Sequence, residues 1–599
     1  MKNPIKKIVS LAMLPVLTIP FFAGCKGDDD KNKTVLKIGV YNGGLGYAWA
    51  EDLEKKFEEA YADVSFEEGK KGVNLKINPQ KELFDSETVQ ATIMQNQDAE
   101  DVYYTFYRAG GIFSRKGLAS NITDIVTEKC YKDDGSLAEY NAETGTYVGG
   151  TKSLADKLST EYQKAFYFDA QEVDYDGDGA PNIKEGYYSL PYQDDLSGFI
   201  YDYDLFKEKG WLDYDGVDGL PDTIEDFFDL MDRIVSAGMI PYTFAATQTF
   251  YYTSAFRDAF MTQYEGYDNA SLAYTYDGTY TFPADTFDAD TVEEENMTVN
   301  SDGTQTVTIT PQNAWMLAYQ PSKTAYIEFM RDLVDPKYFD PDASSTTLDF
   351  TGAQQQFILS KLGKQGQKRI AMIYEGEWWE NEARANFNYT GGYGSRDFRF
   401  FPMPYISGQK DENARSLGTY YAGCSLFVNE KSTKKDLVRL WLQFSHSESA
   451  LETQTIMTGV TRAYDFDLDD SQLAKMTPFG RNTYQIKKGL YKNKGESGNL
   501  NVEVATEFSW ADGHLFYSSC PMGGLGARNA GALGSTATTQ NFGEIDYADS
   551  FIIKVFFEEA GKFAGEKKLS AAEYIDGMYD YYTKENWTNA YNSWLNLQQ

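Results

Sequence analysis

The sequence predicts an α/β fold in which sheets flanked by helices form two or more lobes. Near the N-terminus, β-branched alternating runs are followed by stretches with helical spacing of apolar residues. This order is typical of βαβ units with a parallel sheet. The length of 599 residues exceeds what one hydrophobic core usually organises. Later in the chain, a β-prone run ends at a glycine and two adjacent tryptophans, which predicts aromatic rings at the end of a strand.

The first predicted elements follow from residue periodicity and turn residues. Thr34 to Tyr41 alternates and is rich in β-branched residues, which predicts a strand. Asn42 to Gly46 is a tight glycine-rich loop, and Tyr47 to Tyr61 has the apolar spacing of a helix. The loop lacks the GxGxxG spacing of a dinucleotide fingerprint, so we reject nucleotide binding there. The alternation continues with a strand at Val73–Asn78, a helix at Glu87–Met94 and a strand at Asp101–Phe106.

Three later segments are interpreted as structural. Thr223 is placed to N-cap a helix that runs toward Gly238, with Asp226 three residues after the cap. The segment Thr275–Thr310 is rich in Thr, Asp and Tyr, which predicts an inserted hairpin or loop. The segment Gly523–Ser535 is rich in small residues, which predicts a loop near the cleft or on a lobe surface.

Composition and charge limit the functional classes. The formal net charge of −35 at pH 7 argues against nucleic acid as a partner. His446 and His514 are the two histidines, so a His-based metal site or catalytic triad is nearly excluded. Four cysteines are too few for a disulfide framework. Cys130, Cys424 and Cys520 could form one pair, and the sequence leaves open which one.

The N-terminus carries the pattern of an export signal. A basic start followed by the apolar run Ile8–Ala23 predicts a signal peptide over residues 1–24. The run ends in FAGC, which resembles a bacterial lipobox, although Phe22 stands where leucine is usual. On that resemblance, Cys25 becomes the first mature residue and carries lipid. Residues 25–33 then form a flexible tether. The alternative is ordinary secretion with Cys25 free or buried.

One acidic loop has the spacing of a calcium-binding loop. DYDGDGAPNIKE, Asp174 to Glu185, fits D-x-D-x-D-G-x5-E over its full length. Alternate residues of such a loop point inward and supply the oxygens that a hard cation needs. Clear flanking helices are missing, so we expect an isolated structural calcium site; the alternative is an acidic turn that binds nothing. The predicted ligands are Asp174, Asp176, Asp178, the carbonyl of Ala180, Asn182 and Glu185.

The segment AMIYEGEWWENE, Ala371 to Glu382, carries the main functional signal. A β-prone run meets Gly376, which permits a sharp turn, and Trp378 and Trp379 follow at a strand-to-helix junction. Two adjacent large aromatics cannot both face one core. One or both pack structurally, or they form a stacking platform at a cleft. A flat apolar ring suits the C–H face of a sugar, while nearby acids accept hydroxyl hydrogen bonds.

Five segments, taken in order, resemble extracellular solute-binding proteins of the maltose-binding type. They begin with GVYNGGLGYAWAEDLEKKFEEAY at residues 39–61, and the others lie at residues 101–126, 187–211, 369–383 and 418–454. The resemblance implies a two-lobed periplasmic-binding-protein-like fold of type II, with several hinge crossings between the lobes. It also implies a sugar-like ligand in the cleft and handover of that ligand to an ABC permease.

The same resemblance implies how the chain divides. Lobe one would hold residues 34–190 plus 418–464, and lobe two residues 193–416 plus 466–599. The first crossing would fall near Pro191–Asp194. The chain is longer than the family's usual size, and the extra length falls in residues 128–186, 262–312 and 485–545.

The resemblance further assigns residues to the cleft. Trp378 matches the aromatic of the family's AM-x5-W pattern, counted from Ala371 and Met372. One departure from the pattern is Glu377, which stands where the family usually has proline. The assigned ligand-binding residues are Asn42, Tyr47, Asp194, Asp195, Trp378, Trp379, Tyr420, Tyr421 and Trp510, with Tyr107 as a further candidate.

The function implied is that of a lipid-anchored, monomeric binding component of an ABC sugar importer. It would sit at the outer face of the bacterial cell membrane and do no covalent chemistry. One alternative is a surface glycan-capture or sensory binding protein without a permease. Another is a secreted glycan-active enzyme, since ninety acidic residues leave room for a catalytic carboxylate pair. The sequence contains neither a nucleophile elbow nor an HExxH motif.

Overall fold

Strands and helices alternate along most of the chain that the structure describes. The computed structural model describes residues 32–80, 92–96, 98–105, 113–114, 116–169, 179–193, 195–214, 217–245, 256–344, 347–410, 415–420, 425–488, 502–504 and 571–598. The strands are β1 Thr34–Tyr41, β2 Val73–Gln80, β3 Val102–Thr105, β4 Glu139–Asn141, β5 Thr146–Val148, β6 Tyr167–Phe168, β7 Gly186–Tyr187, β8 Leu190–Pro191, β9 Asp195–Asp202, β10 Asp213–Tyr214, β11 Val217–Asp218, β12 Ile240–Thr243, β13 Gly278–Phe282, β14 Thr298–Val299, β15 Gln305–Ile309, β16 Ile370–Gly376, β17 Phe398–Phe401, β18 Arg415–Tyr420, β19 Ser425–Val428 and β20 Val502–Val504. The α-helices are Ala48–Ala60, Thr123–Thr127, Thr160–Phe166, Tyr203–Lys209, Ile224–Ser236, Arg257–Glu265, Tyr267–Thr275, Ala289–Glu294, Pro321–Leu333, Phe350–Leu359, Trp379–Glu382, Lys435–Ser445, Glu448–Thr458, Asp470–Leu473, Pro478–Lys487, Ala571–Tyr581 and Lys584–Gln598.

The first sheet has the strand order β2-β1-β3-β19-β8. β1 pairs in parallel with β2 and β3, as the βαβ pattern predicts. β19 departs from that pattern because it pairs antiparallel with both β3 and β8. The glycine-rich loop after β1 leads into the helix Ala48–Ala60, which buries Trp49, Leu53 and Phe57. We call this sheet and the helices packed on it the first lobe.

The second sheet has the strand order β12-β16-β9-β18-β20, with β17 also paired to β9. β16 lies next to β9, and every residue of β16 is buried. A strand with both faces covered reads as a continuous apolar run, which explains the AMIY sequence at its centre. Phe199 and Tyr374 belong to the large core cluster on one face, whereas Ile200 and Ile373 belong to a second cluster on the other. We call this sheet and its helices the second lobe.

The chain passes between the two sheets more than once. β8 belongs to the first sheet and β9 to the second, so the strands change sheet between Pro191 and Asp195. They change back between Tyr420 of β18 and Ser425 of β19. The exact lobe boundaries, which the sequence places within a few residues of these points, stay a prediction.

Peripheral elements illustrate where local sequence signals are sufficient. The Thr223 hydroxyl accepts a hydrogen bond from the Asp226 amide at 3.1 Å and caps the helix Ile224–Ser236. The inserted segment forms the three-stranded antiparallel sheet β13-β15-β14, so its hairpin interpretation holds.

The helix Ala571–Tyr581 packs on the second lobe through an aromatic pair. Tyr319 stacks on Tyr579 of this helix, with ring centroids 4.2 Å apart.

Two other sequence predictions concern segments that the structure describes only in small part or not at all. The segment Gly523–Ser535 and most of the helix predicted at Glu87–Met94 lie outside the described residues. Among the residues that are described, no helix combines the length and the apolar character needed to cross a membrane.

Candidate functional site

Trp378 lies at the end of β16, where the second lobe meets the first. Its indole folds back over Gly376: a Cβ added there would lie 2.1 Å from the Cη2 atom of Trp378. Glycine is therefore required by close approach of the ring. A Cβ added at Gly44, in the loop after β1, would lie 3.4 Å from the Cβ of Trp378. Trp378 is thus enclosed by both lobes and is only 5% exposed.

Trp379, although adjacent, points into the core of the second lobe. It is fully buried and contacts four phenylalanine rings, with centroid distances from 5.1 to 5.9 Å. Such a ring has no face left for a ligand in this arrangement. Its position is that of a core residue, and the ligand-binding assignment finds no support in it. The four partners are Phe357, Phe387, Phe398 and Phe479.

The acidic residues around the tryptophans have distinct partners within the protein. Glu377 accepts a hydrogen bond from the Lys487 ammonium at 2.7 Å in a nearly fully buried ion pair. Glu375 accepts one from the Gln354 amide at 3.1 Å. These two carboxylates therefore tie β16 to its flanking helices within the second lobe. The departure from proline at position 377 is explained by this ion pair, which proline could not form.

Glu382 is the acid that reaches the first lobe. One of its carboxylate oxygens accepts the Gly44 amide at 2.8 Å. The neighbouring Asn381 side chain donates to the Gly44 carbonyl at 2.8 Å. Both backbone polar groups of Gly44 in the first lobe are thus bound by consecutive side chains of the second. Sequence reasoning did not single out Gly44, Asn381 or Glu382. The available signal was the closeness in sequence of the Asn381 amide and the Glu382 carboxylate to Trp378.

Asp195 and Tyr420 are brought to the same edge of the second sheet as Trp378. They are paired residues in the antiparallel ladder of β9 and β18. Two residues along β9, Ser197 pairs with Gly376 on one side and with Gly418 on the other. The backbone at these assigned positions is therefore contiguous. Several assigned residues lie outside the described residues: Cys25, Tyr107, Asp174, Asp176, Asp178, Asp194, Tyr421 and Trp510.

The two assigned residues of the first lobe lie in and just after the glycine-rich loop. Asn42 is exposed, and its backbone N–H donates to the backbone carbonyl of Gln80 at 3.0 Å. Tyr47 is half-buried and packs against the large core cluster. Trp49, two residues later, was not assigned to the site by the sequence; it is buried against Tyr104 in an edge-on contact of 5.2 Å. The first lobe therefore contributes a polar loop above a buried aromatic cluster.

His446 and Cys130 both lie in the core of the first lobe. Burial lowers the pKa of His446 to about 3, so its imidazole is neutral at pH 7. Burial raises the pKa of the Cys130 thiol to about 12, and this cysteine is unpaired. Cys424, Cys520 and His514 lie outside the described residues.

The described part of the calcium-like loop is exposed. Ala180, Asn182 and Glu185 are all at the surface, and the Glu185 carbonyl accepts a hydrogen bond from the Asn121 side chain at 3.1 Å. Within the described ranges, no group of three or more His, Cys, Asp or Glu side chains is arranged to hold a metal. The three aspartates of the loop fall outside those ranges, so calcium binding stays a prediction.

Glu380 is buried directly beside the tryptophans, and its titration provides a testable pH dependence. Burial raises the pKa of its carboxyl group to about 7, although a hydrogen bond from Thr477 and the nearby Arg384 oppose the shift. The Thr477 hydroxyl donates to this carboxyl group at 2.5 Å. Between its ordinary pKa and pH 7, the folded state holds a proton that the unfolded state has lost. The contribution of Glu380 to the free energy of unfolding therefore falls as pH rises through this window.

Replacing Glu380 with glutamine removes this dependence. We expect the difference in unfolding free energy between E380Q and the wild type to shift in favour of E380Q by about 3 kcal/mol from pH 4.5 to pH 8. Urea unfolding at several pH values measures this difference. The exposed Glu143 serves as the control, because E143Q should follow the wild-type profile. A pH-independent difference for E380Q would show that the buried carboxyl group does not titrate in this window.

Comparisons with known proteins place the fold. The chain is similar to a structurally characterised protein from work on xylan utilization by the thermophilic bacterium Caldanaerobius polysaccharolyticus, with a TM-score of 0.50, 12% identity, and coverage of 91% of this chain and 99% of that one. The GacH receptor of Streptomyces glaucescens GLA.O gives a TM-score of 0.47, 13% identity and coverage of 92% and 97%. RafE in complex with raffinose gives a TM-score of 0.47 and 12% identity, and the match covers 87% of this chain and 100% of RafE. No curated protein sequence matches the chain significantly.

The two sheets and the crossings between them define a two-lobed, periplasmic-binding-protein-like protein. The family model for bacterial extracellular solute-binding proteins matches residues 47–451, more than half of the chain. The chain belongs to this family.

Proposed function

We propose that the protein is the lipid-anchored binding component of an ABC importer and that it binds a carbohydrate between its two lobes. Membership of a solute-binding family supports binding without covalent chemistry. The observation that carries the choice of site is Trp378, which stands at the end of a central strand and meets Gly44 of the opposite lobe. An aromatic ring with carboxylate and amide groups beside it suits a sugar.

The mechanism is closure of the lobes around the ligand. Opening moves Gly44 away from Trp378 and frees one face of the indole. The C–H face of a sugar ring then stacks there, while polar groups at the edge of the second sheet accept and donate hydrogen bonds to its hydroxyls. Closure excludes water and strengthens these bonds. The closed monomer would then be recognised by the permease.

A glycan panel tests this function directly. We expect one carbohydrate to raise the melting temperature, with about 2.7 kcal/mol of added stability when its concentration is 100 times its Kd. W378F should weaken that binding about three- to tenfold because a smaller ring is left to stack. W379F makes the same change one residue away and should leave Kd unaltered. If no glycan shifts the melting temperature while an amino acid or peptide does, the carbohydrate proposal fails.

The lipid anchor is proposed from the FAGC sequence at Phe22–Cys25. Lipid attachment requires the Cys25 thiol, so C25A should lose incorporation of labelled fatty acid and appear in the culture medium. The wild type should stay with the membrane fraction. Equal membrane retention of both proteins would show that the chain is held there by another means.

Calcium binding is proposed from the spacing of Asp174–Glu185 alone. If the loop binds calcium, EDTA should lower the melting temperature and added calcium should restore it. D176N/D178N removes two predicted ligands and should abolish the response to EDTA. An unchanged melting temperature of the wild type in EDTA would remove the support for this site.

A further inference from the structure

Side chains that follow Trp378 reach across to the first lobe at two separate places. Asn381 and Glu382 contact Gly44 in the loop after β1. Arg384 contacts Met457, in the helix Glu448–Thr458, which packs against the helix Ala48–Ala60 of the first lobe. One short segment of the second lobe therefore bridges two elements of the first.

The contact with Gly44 uses both backbone polar groups of this residue. Its amide donates to Glu382 at 2.8 Å, and its carbonyl accepts from Asn381 at 2.8 Å. Gly44 has a φ of +48°, a backbone conformation that residues other than glycine rarely adopt. The second carboxylate oxygen of Glu382 accepts from Gln354 at 2.8 Å. Glu382 is thus fixed within its own lobe before it binds Gly44.

The contact with Met457 is oriented by the same segment. The Arg384 guanidinium donates to the Met457 carbonyl at 2.9 Å and to the Asn381 side chain at 2.8 Å. It also lies over the Tyr393 ring, 4.1 Å from the centroid. Arg384 therefore positions Asn381 for Gly44 while it binds the first lobe itself. The two contacts are linked, so loss of one weakens the other.

These bonds also determine access to Trp378. A Cβ added at Gly44 would already lie 3.4 Å from the Cβ of Trp378, so the Gly44 backbone is too close to this side chain for a sugar ring to fit between the two. A ligand can stack on that side of the indole only after the lobes have separated there.

We propose that Asn381, Glu382 and Arg384 form an inter-lobe latch that holds the two lobes together at Gly44 and Met457. The latch competes with any ring that stacks between Gly44 and Trp378. It therefore sets the population of the open state that can receive ligand, and so the apparent affinity. The proposal requires the two-lobed fold but no particular ligand, so it can fail or succeed independently of the carbohydrate assignment.

Hydrogen exchange of the full-length, ligand-free protein tests the latch. The Gly44 amide is protected by Glu382 across the lobes, whereas the Gly46 amide donates to Gly43 at 2.9 Å within its own turn. N381A/R384M removes two donors to the first lobe. We expect exchange at Gly44 to accelerate about tenfold or more, exchange at Gly46 to stay unchanged, and small-angle X-ray scattering to show a larger radius of gyration.

The matched control is N386A/R331M. Asn386 accepts from Gln355 within the second lobe, and Arg331 pairs with its neighbour Asp332. This variant loses the same two kinds of side chain without touching the first lobe. The latch does not exist if the Gly44 amide exchanges at the wild-type rate in both double variants. The same conclusion follows if its exchange is accelerated equally in N381A/R384M and in N386A/R331M.

A pair of single variants checks the result if N381A/R384M is too unstable to study, and it is chosen away from the glycines of the loop. Gly44 and Gly46 both have positive φ, so alanine strains the backbone at each. A Cβ added at Gly44 would make only an ordinary contact with Trp378, and one added at Gly46 meets nothing within 4 Å, so these two alanine variants do not separate the lobes. The single variants R384M and R331M do distinguish them, because R384M removes the hydrogen bond to the Met457 carbonyl whereas R331M removes an ion pair with the neighbouring Asp332. We expect R384M to enlarge the radius of gyration and R331M to leave it at the wild-type value. Equal values for R384M and R331M would overturn the proposal.

Discussion

Replacing Lys487 with methionine is expected to lower the free energy of unfolding by about 3–5 kcal/mol. The Lys487 ammonium is 2.7 Å from the Glu377 carboxylate, and the exposed fractions of the two side chains are 5% and 0%. K487M would leave that carboxylate buried without the positive charge that faces it. Removal of one partner of a buried ion pair is more damaging than removal of both. Urea unfolding at pH 7 measures the loss.

Two controls separate this effect from the loss of any lysine. K71M removes an ion pair with Asp63 in which both side chains are largely exposed, and it should change stability little. E377L/K487M removes both buried charges and should recover most of the stability lost in K487M. If K487M is as stable as K71M, the buried pair does not stabilise the turn that carries Trp378.

Replacing Trp379 with alanine is expected to lower the free energy of unfolding by about 3–5 kcal/mol. The fully buried indole fills the space between phenylalanines from three different parts of the second lobe. Truncation would leave a cavity that β16 and its neighbours cannot close, because the strands are fixed by their ladders. Chemical denaturation measures the free energy of unfolding. This free energy should fall without a change in the affinity of the folded protein for its ligand.

W379F distinguishes packing from ligand contact. A phenylalanine fills part of the same space, so W379F should lose less stability than W379A. Neither variant should change Kd under conditions where the protein is folded. A Kd weakened by W379F as much as by W378F would place Trp379 in the binding site and contradict its assignment to the core.

Elements whose signals are local in sequence were predicted well. The strand β1, the loop after it and the helix Ala48–Ala60 follow from alternation, glycine and helical periodicity. The strand-to-helix junction at Gly376 was predicted for the same reason. Backbone sterics and the apolar pattern act over a few residues, so a short window of sequence contains them.

The partners of the site were beyond such local signals. Gly44 and Glu382 are 338 residues apart, and Lys487 and Glu377 are 110 residues apart. Periodicity determines which face a residue occupies but not what a distant segment places against it. The roles of the adjacent tryptophans illustrate this limit, because their chemistry is identical and only tertiary packing makes Trp379 a core residue and Trp378 an inter-lobe one.

The position of β19 determines when the first lobe can form. β19 lies between β3 and β8, yet it follows the strands of the second sheet β9, β12 and β16–β18 in sequence. A chain that is still emerging therefore has a gap in its first sheet until residues 425–428 are out. Contacts of such long sequence separation slow folding. For the exported chain proposed above, this delay would keep the leading segments unfolded while they cross the membrane.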